Sequence, residues 1–121
     1  MSKYRILIIE DDQDYVEPLL GLLRPELGNE YHIEAHYTGS EGVFYAKTFP
    51  YDLFIVDLFL PDMMGGEVVN HLKKLSKSPI IIMSNYYDLA EPRIEDADDF
   101  FFKGIDHTEL ASRIKLIVSQ D

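Results

Sequence analysis

The chain has 121 residues, 46% of them apolar, which suits one compact domain with a real core and excludes a disordered chain. It has no cysteine, so a disulfide scaffold, thiol catalysis and zinc–thiolate sites are excluded, and a reducing compartment fits. A net charge of −11 repels phosphate backbones and argues against direct nucleic-acid binding, while the absence of any apolar stretch near the roughly 20 residues of a membrane span, or of a signal-peptide pattern, predicts a soluble cytoplasmic protein with no membrane partner.

Short apolar runs alternate with longer helical patterns. Ile6 to Ile9 is the first strand. Val16, Leu19, Leu20, Leu23 and Leu27 keep helical spacing. Pro18 fits that helix if it begins just before the proline, with Asp14 as its cap, and Pro25 and Gly28 mark its end. Tyr31, Ile33, Ala35 and Tyr37 alternate with His32, Glu34 and His36, the pattern of a half-buried edge strand. Ser40 to Thr48 is a second helix of weak periodicity. Leu53 to Val56 is a fully buried central strand, and Val68, Val69, Leu72 and Leu75 define a third helix.

Pro79 precedes a further continuous strand, Ile80 to Met83. Asp88 to Ala97 should hold a short fourth helix interrupted by Pro92. Six acids between Asp88 and Asp99 face a single Arg93, which reads as a solvated face. Phe100 to Phe102 is the fifth strand, and Asp106-His107-Thr108-Glu109 has the form of a capping box opening a last helix with Leu110, Ala111, Ile114, Ile117 and Val118 on one face. Five strand–helix units with continuous apolar strands predict an α/β fold, a parallel sheet covered by helices on both faces.

Two apolar strands end in acids: Ile6 to Ile9 runs into Glu10-Asp11-Asp12, and Leu53 to Val56 into Asp57. In open α/β sheets the C-terminal strand edge is where ligands bind. Carboxylates gathered there repel one another unless a cation sits among them, and hard oxygen donors with no His or Cys nearby suit Mg2+. Asp12 or Asp14 reads as a helix cap. Lys103 follows the fifth strand and Ser84 the fourth, so both reach the same edge, where an ammonium and a hydroxyl can meet Asp57 or a phosphoryl group. His32 and His36 share one side of a strand about 13 Å apart, a poor metal pair, and read as surface residues. His71 and His107 read as helix-surface residues, and Tyr86 and Tyr87 as partly exposed.

In order and spacing these parts resemble the receiver domain of two-component response regulators, across essentially the whole chain, residues 1–121. The family's acidic pair maps to Glu10 and Asp11, and its phosphoacceptor to Asp57 within Asp57-Leu58-Phe59-Leu60-Pro61-Asp62-Met63-Met64-Gly65-Gly66. Its switch hydroxyl maps to Ser84, its switch aromatic to Phe100 and its lysine to Lys103.

The resemblance implies a doubly wound five-stranded parallel sheet in the flavodoxin-like order 2-1-3-4-5. It implies Mg2+ held by Asp11 and Asp57, by Glu10 through water, and by the backbone carbonyl of Phe59. Asp57 would take a phosphoryl group from the phosphohistidine of a sensor kinase or phosphotransfer protein. The chain would then be a signalling phosphoacceptor, not an enzyme in the ordinary sense, though it takes part in its own phosphorylation and dephosphorylation. It would switch a downstream output protein or domain, with a phosphorylation-dependent homodimer as one form of that response.

The family's proline after the lysine is Gly104 here, Asn85 stands at a usually small position, Asp96 replaces a glycine, and the stretch from Ser84 to Phe100 is about three residues short. The peptide between Lys103 and Gly104 is expected to be trans, since a cis bond to a non-proline residue costs about 2.5–4 kcal/mol. The principal alternative is a receiver-like interaction domain that works without phosphorylation. A haloacid-dehalogenase-type phosphatase wants a second aspartate where Phe59 stands, and a flavodoxin's flavin phosphate would be repelled by the acidic first loop.

Overall fold

The computed structural model describes residues 2–85 and 97–119. Its strands are β1 (Tyr4–Ile9), β2 (Tyr31–His36), β3 (Leu53–Asp57), β4 (Ile80–Ser84) and β5 (Asp99–Phe102), and its helices α1 (Gln13–Leu27), α2 (Gly39–Thr48), α3 (Gly65–Leu75) and α4 (His107–Val118). Every strand pair is parallel, in the order β2-β1-β3-β4-β5. The three apolar runs without alternation lie in the middle of the sheet, because only there are both faces of a strand covered. The alternating run Tyr31 to His36 and the short Asp99 to Phe102 form the edges.

Strand alternation splits the core into two layers. Ile6, Ile8, Ile55, Ile81 and Met83 face α1 and α4, with Leu20, Leu23, Leu110 and Ile114 among their contacts. Leu7, Ile9, Phe54, Val56, Ile80 and Ile82 face α2 and α3 and meet Val43, Val68, Val69 and Leu72. The chain winds from β1 to one edge and then crosses back to β3, so the strand order reverses between β1 and β3, where α/β sheets open a crevice at their C-terminal ends. Pairing places Ile9 beside Val56, Asp57 beside Met83, and Ser84 beside Phe102. The residues that end or follow these strands therefore share one edge.

Several local expectations are corrected. α1 starts at Gln13 with Asp12 as its cap, whose Oδ1 accepts the Tyr15 N–H at 3.2 Å, so Asp14 lies inside the first turn. Pro18 and Pro25 both lie within α1 on its exposed side, where water can satisfy the carbonyl each leaves open. Gly28 caps the helix end at φ 90°, a conformation that favours glycine.

The capping box of the last helix does not form. Asp106 is the cap residue, but its carboxylate lies 3.7 Å from His107 Nδ1 instead of bonding the helix amides. Leu75 ends α3 largely exposed while Val68, Val69 and Leu72 are buried. No peptide among the described residues is cis, so the Lys103–Gly104 bond is trans as expected. The expected fourth helix, with Pro92, and the Tyr86-Tyr87 pair lie outside the described residues.

His36 is not a surface residue. Its side chain is 14% exposed and stacked on Tyr45 at 3.8 Å, with Nε2 2.9 Å from Glu34 and Nδ1 2.6 Å from Glu41. His32 and Arg5 also reach Glu34, at 3.0 Å each. One carboxylate between the two histidines joins them, which alternation along a strand alone did not reveal.

No helix among the described residues is long and apolar enough to cross a membrane.

Candidate functional site

At the C-terminal edge of the sheet a cavity of about 240 Å³ is lined by Glu10, Asp11, Asp57, Phe59, Ser84 and Lys103, with Asp12 and Asn85 completing it. Each arrives there because its strand ends there. Glu10 and Asp11 follow β1, Asp57 ends β3, Ser84 ends β4 and Lys103 follows β5. Glu10 is 3% exposed, Asp57 6% and Ser84 1%, whereas Asp11 stands at the solvent rim. Single carboxylate oxygens of Glu10, Asp11 and Asp57 all lie within 4.8 Å of one another.

The Lys103 ammonium bridges the two buried acids, 3.0 Å from Asp57 Oδ1 and paired with Glu10 Oε1. The other oxygen of Glu10 accepts the Asp12 N–H at 3.1 Å. Burial pushes the Glu10 carboxyl up to about 7, against the pull of Lys103 and of the Asp12 N–H. Asp57 is raised as well, first by burial, with Lys103 opposing and the Asp11 charge adding to the rise. Burial alone would lower Lys103, but the Glu10 and Asp57 carboxylates outweigh it and hold the ammonium above its ordinary value. Among the described residues, three carboxylates therefore share one fixed cation. The site is short of positive charge, its donors are hard oxygens, and no His or Cys lines it, which fits a divalent ion such as Mg2+.

The loop after Asp57 is held on two sides. Gly65 donates its N–H to the Leu58 carbonyl at 2.7 Å, and Phe59 pairs with Met64. The start of α3 comes so close that a Cβ on Gly65 would stand 2.8 Å from the Asp57 carbonyl oxygen and from Leu58 Cα, so only glycine fits. Asp62 reaches across to α2, accepting the N–H groups of Gly39 and Ser40 at 2.8 Å each and the Ser40 hydroxyl at 2.7 Å. Asp62 thus caps a helix 22 residues earlier in the chain, a link with no local sequence signal.

The sequence singled out Glu10, Asp11, Asp57, Phe59, Ser84, Phe100 and Lys103. The structure gathers all but Phe100 around the cavity. Phe100 is half-buried on the α2 and α3 side of the sheet, packed with Ala97 against that layer. The Phe59 ring is 41% exposed at the rim. Tyr15, which the sequence did not single out, touches Lys103 and escaped notice because its contact lies 88 residues away.

The family model for the response regulator receiver domain matches residues 6–115. The response regulator ArlR of Staphylococcus aureus is 36% identical over 118 residues, covering 94% of this chain and 52% of that protein, so the chain spans about half the length of such relatives. A receiver domain protein from Methanospirillum hungatei is 27% identical, with a TM-score of 0.89 over 98% of this chain and 96% of that one. The response regulator TrrA of Thermotoga maritima, solved in complex with Mg2+-BeF, is 28% identical, with a TM-score of 0.84 over 94% of this chain and 98% of that one. With the strand order and the acidic edge, these matches place the chain in the response regulator receiver domain family of two-component signalling.

Proposed function

We propose that Asp57 is the phosphoacceptor of a receiver domain spanning residues 1–121, taking its phosphoryl group from a phosphohistidine on a sensor kinase or phosphotransfer protein. The observation that carries this reading is the buried Asp57 carboxylate, held 3.0 Å from the Lys103 ammonium and within ligand distance of Glu10 and Asp11. An Asp57 oxygen attacks phosphorus as the phosphorus–nitrogen bond breaks, the imidazole leaves with a proton, and an acyl phosphate remains. Lys103 and Ser84 take hold of phosphoryl oxygens from the far side of the cavity.

Mg2+ would be held by Asp11, Asp57, the Phe59 carbonyl and, through water, Glu10, and when bound it supplies positive charge to the transferring group. Movement of Ser84 toward the phosphoryl group frees space for Phe100 to turn inward, a packing change driven by a local change of charge. The domain is thus a signalling phosphoacceptor that assists its own phosphorylation and dephosphorylation. It passes the state to an output protein or domain, or to a second copy of itself, and a cytoplasmic setting without cysteine suits that chemistry.

The test is incubation with acetyl phosphate and Mg2+ followed by mass measurement. Wild type should gain one phosphoryl group and Asp57→Asn none. An unmodified wild type would favour a domain that binds its partner without phosphorylation, and an equally modified Asp57→Asn would move the acceptor elsewhere.

A further inference from the structure

The Lys103 backbone is held at both its polar groups, from two different elements. Its N–H donates to the Ser84 carbonyl at 3.0 Å, the last rung between β5 and β4. Its carbonyl accepts the Tyr15 hydroxyl at 3.2 Å, a bond from α1 across the mouth of the sheet. The same tyrosine serves the side chain, because the Lys103 ammonium lies 5.1 Å from the centre of the Tyr15 ring. Tyr15 is itself seated on the α1 and α4 layer of the core, so its ring is a fixed surface and not a loose cover.

The next residue is Gly104, exposed, where a Cβ would stand 3.3 Å from the Phe102 ring, and its glycine backbone is the least restricted of any residue's. Without the tie from α1, the Lys103 main chain would keep only its bond to the Ser84 carbonyl among the described residues. Burial pushes the Tyr15 hydroxyl up to about 12, so it stays a donor throughout the neutral range.

From these contacts we infer that Tyr15 is a positioning residue for Lys103: its hydroxyl fixes the lysine backbone and its ring fixes the ammonium between Glu10 and Asp57. This rests on the phosphoacceptor reading, in which Lys103 meets the phosphoryl oxygens. A misplacement of about 1 Å in such a group can cost about a hundredfold in rate. Loss of both Tyr15 contacts, with the Ser84 rung retained, is expected to cost roughly tenfold.

The experiment measures phosphoryl uptake from acetyl phosphate at saturating Mg2+ in wild type, Tyr15→Phe, Tyr15→Leu, Lys103→Met and the Tyr15→Leu/Lys103→Met double variant, with urea unfolding of the same set. Tyr15→Leu should slow uptake roughly tenfold, and Tyr15→Phe, which keeps the ring, should fall between it and wild type. In the Lys103→Met background Tyr15→Leu should cost no further rate, because the group it positions is gone. Equal slowing in both backgrounds would mean Tyr15 only packs, and would overturn the inference. If wild type itself takes up no phosphoryl group, the phosphoacceptor reading fails first. The unfolding cycle then decides the contact alone, with coupled losses supporting a Tyr15–Lys103 tie and additive losses refuting it.

Discussion

Replacing Lys103 by methionine keeps the apolar stem and removes the only fixed cation that the described residues place between Glu10 and Asp57. At 3.0 Å and an effective dielectric near 20, the lost attraction to Asp57 alone is about 5.5 kcal/mol. The protein need not bear all of it, because a buried carboxylate can take up a proton instead. Glu10, raised to about 7 in wild type, is raised further once Lys103 is gone and can then donate to Asp57. Wild type already carries that proton below about pH 7, so there the two proteins respond to pH alike; above pH 7 wild type releases it while the variant keeps it, at about 1.4 kcal/mol for each further pH unit. Protonation is the smaller cost, so it sets the size of the effect. The sign follows, since above pH 7 the folded variant holds a proton that its unfolded chain and folded wild type both lack, so its stability falls as pH rises while that of wild type levels off. Urea unfolding without metal should show the gap between wild type and Lys103→Met widening from pH 6 to pH 8.5 by about 2 kcal/mol, roughly 1 M in midpoint. Added Mg2+ should stabilise the variant more than wild type, by restoring positive charge among the acids. Equal gaps at the two pH values would refute the electrostatic reasoning.

Asp11→Ala should lose both Mg2+ binding, followed by tyrosine fluorescence, and phosphoryl uptake. Its metal-free unfolding midpoint should be unchanged or higher, because a carboxylate has left the cluster. Asp62→Ala removes three bonds to the start of α2 and should cost about 1–2 kcal/mol, a fall of roughly 3–8 °C in melting temperature. Burial would raise the Asp62 carboxyl, but the Ser40 hydroxyl and the Gly39 and Ser40 N–H groups hold it below its ordinary 3.8. The gap to wild type should therefore be full at neutral pH and close as pH drops below that value. Phe59→Asn should release phosphate several-fold faster, measured by loss of the acyl phosphate mass, because an amide at the rim can orient water where a phenyl ring cannot. An unchanged rate would show that the ring does not shield the acceptor.

The strands were readable because burial on both faces leaves a continuous apolar run, and the site because each strand delivers its acid, hydroxyl or lysine at the same end. Those are local patterns, fixed by the residue before and after. What escaped the reading was decided at a distance. Asp62 and Ser40 are 22 residues apart, Tyr15 and Lys103 are 88 apart, and neither pair carries a motif. His36 read as exposed because strand alternation assigns sides but not neighbours, and Glu34 with Glu41 closes over it only once α2 packs beside β2. The capping box of α4 failed for a different reason. Its sequence pattern permits the bond to the helix amides, but the Asp106 carboxylate turns to His107 instead.

The two sides of the cavity are tied differently, which bears on how a charge added at Asp57 can be passed on. The β3 side is fixed by main chain: the Gly65 N–H on Leu58, the Phe59–Met64 bridge, and a clearance at Gly65 that admits no side chain. Shifting it would mean moving α3 and, through Asp62, α2 as well. On the opposite side Lys103 meets Asp57 by its side chain and Ser84 lines the same cavity, with one main-chain rung between them and a tyrosine hydroxyl behind. A rotated hydroxyl or a re-aimed ammonium costs far less than a displaced helix, because interiors are packed too tightly for the latter. On the proposed mechanism the new charge therefore leaves the acceptor loop where it is and is answered by β4 and β5, where Phe100 sits on the α2 and α3 side of the sheet. On that reading Asp57 is a rigid acceptor and still a sensitive one, because the softer contacts among the described residues lie across the cavity from it.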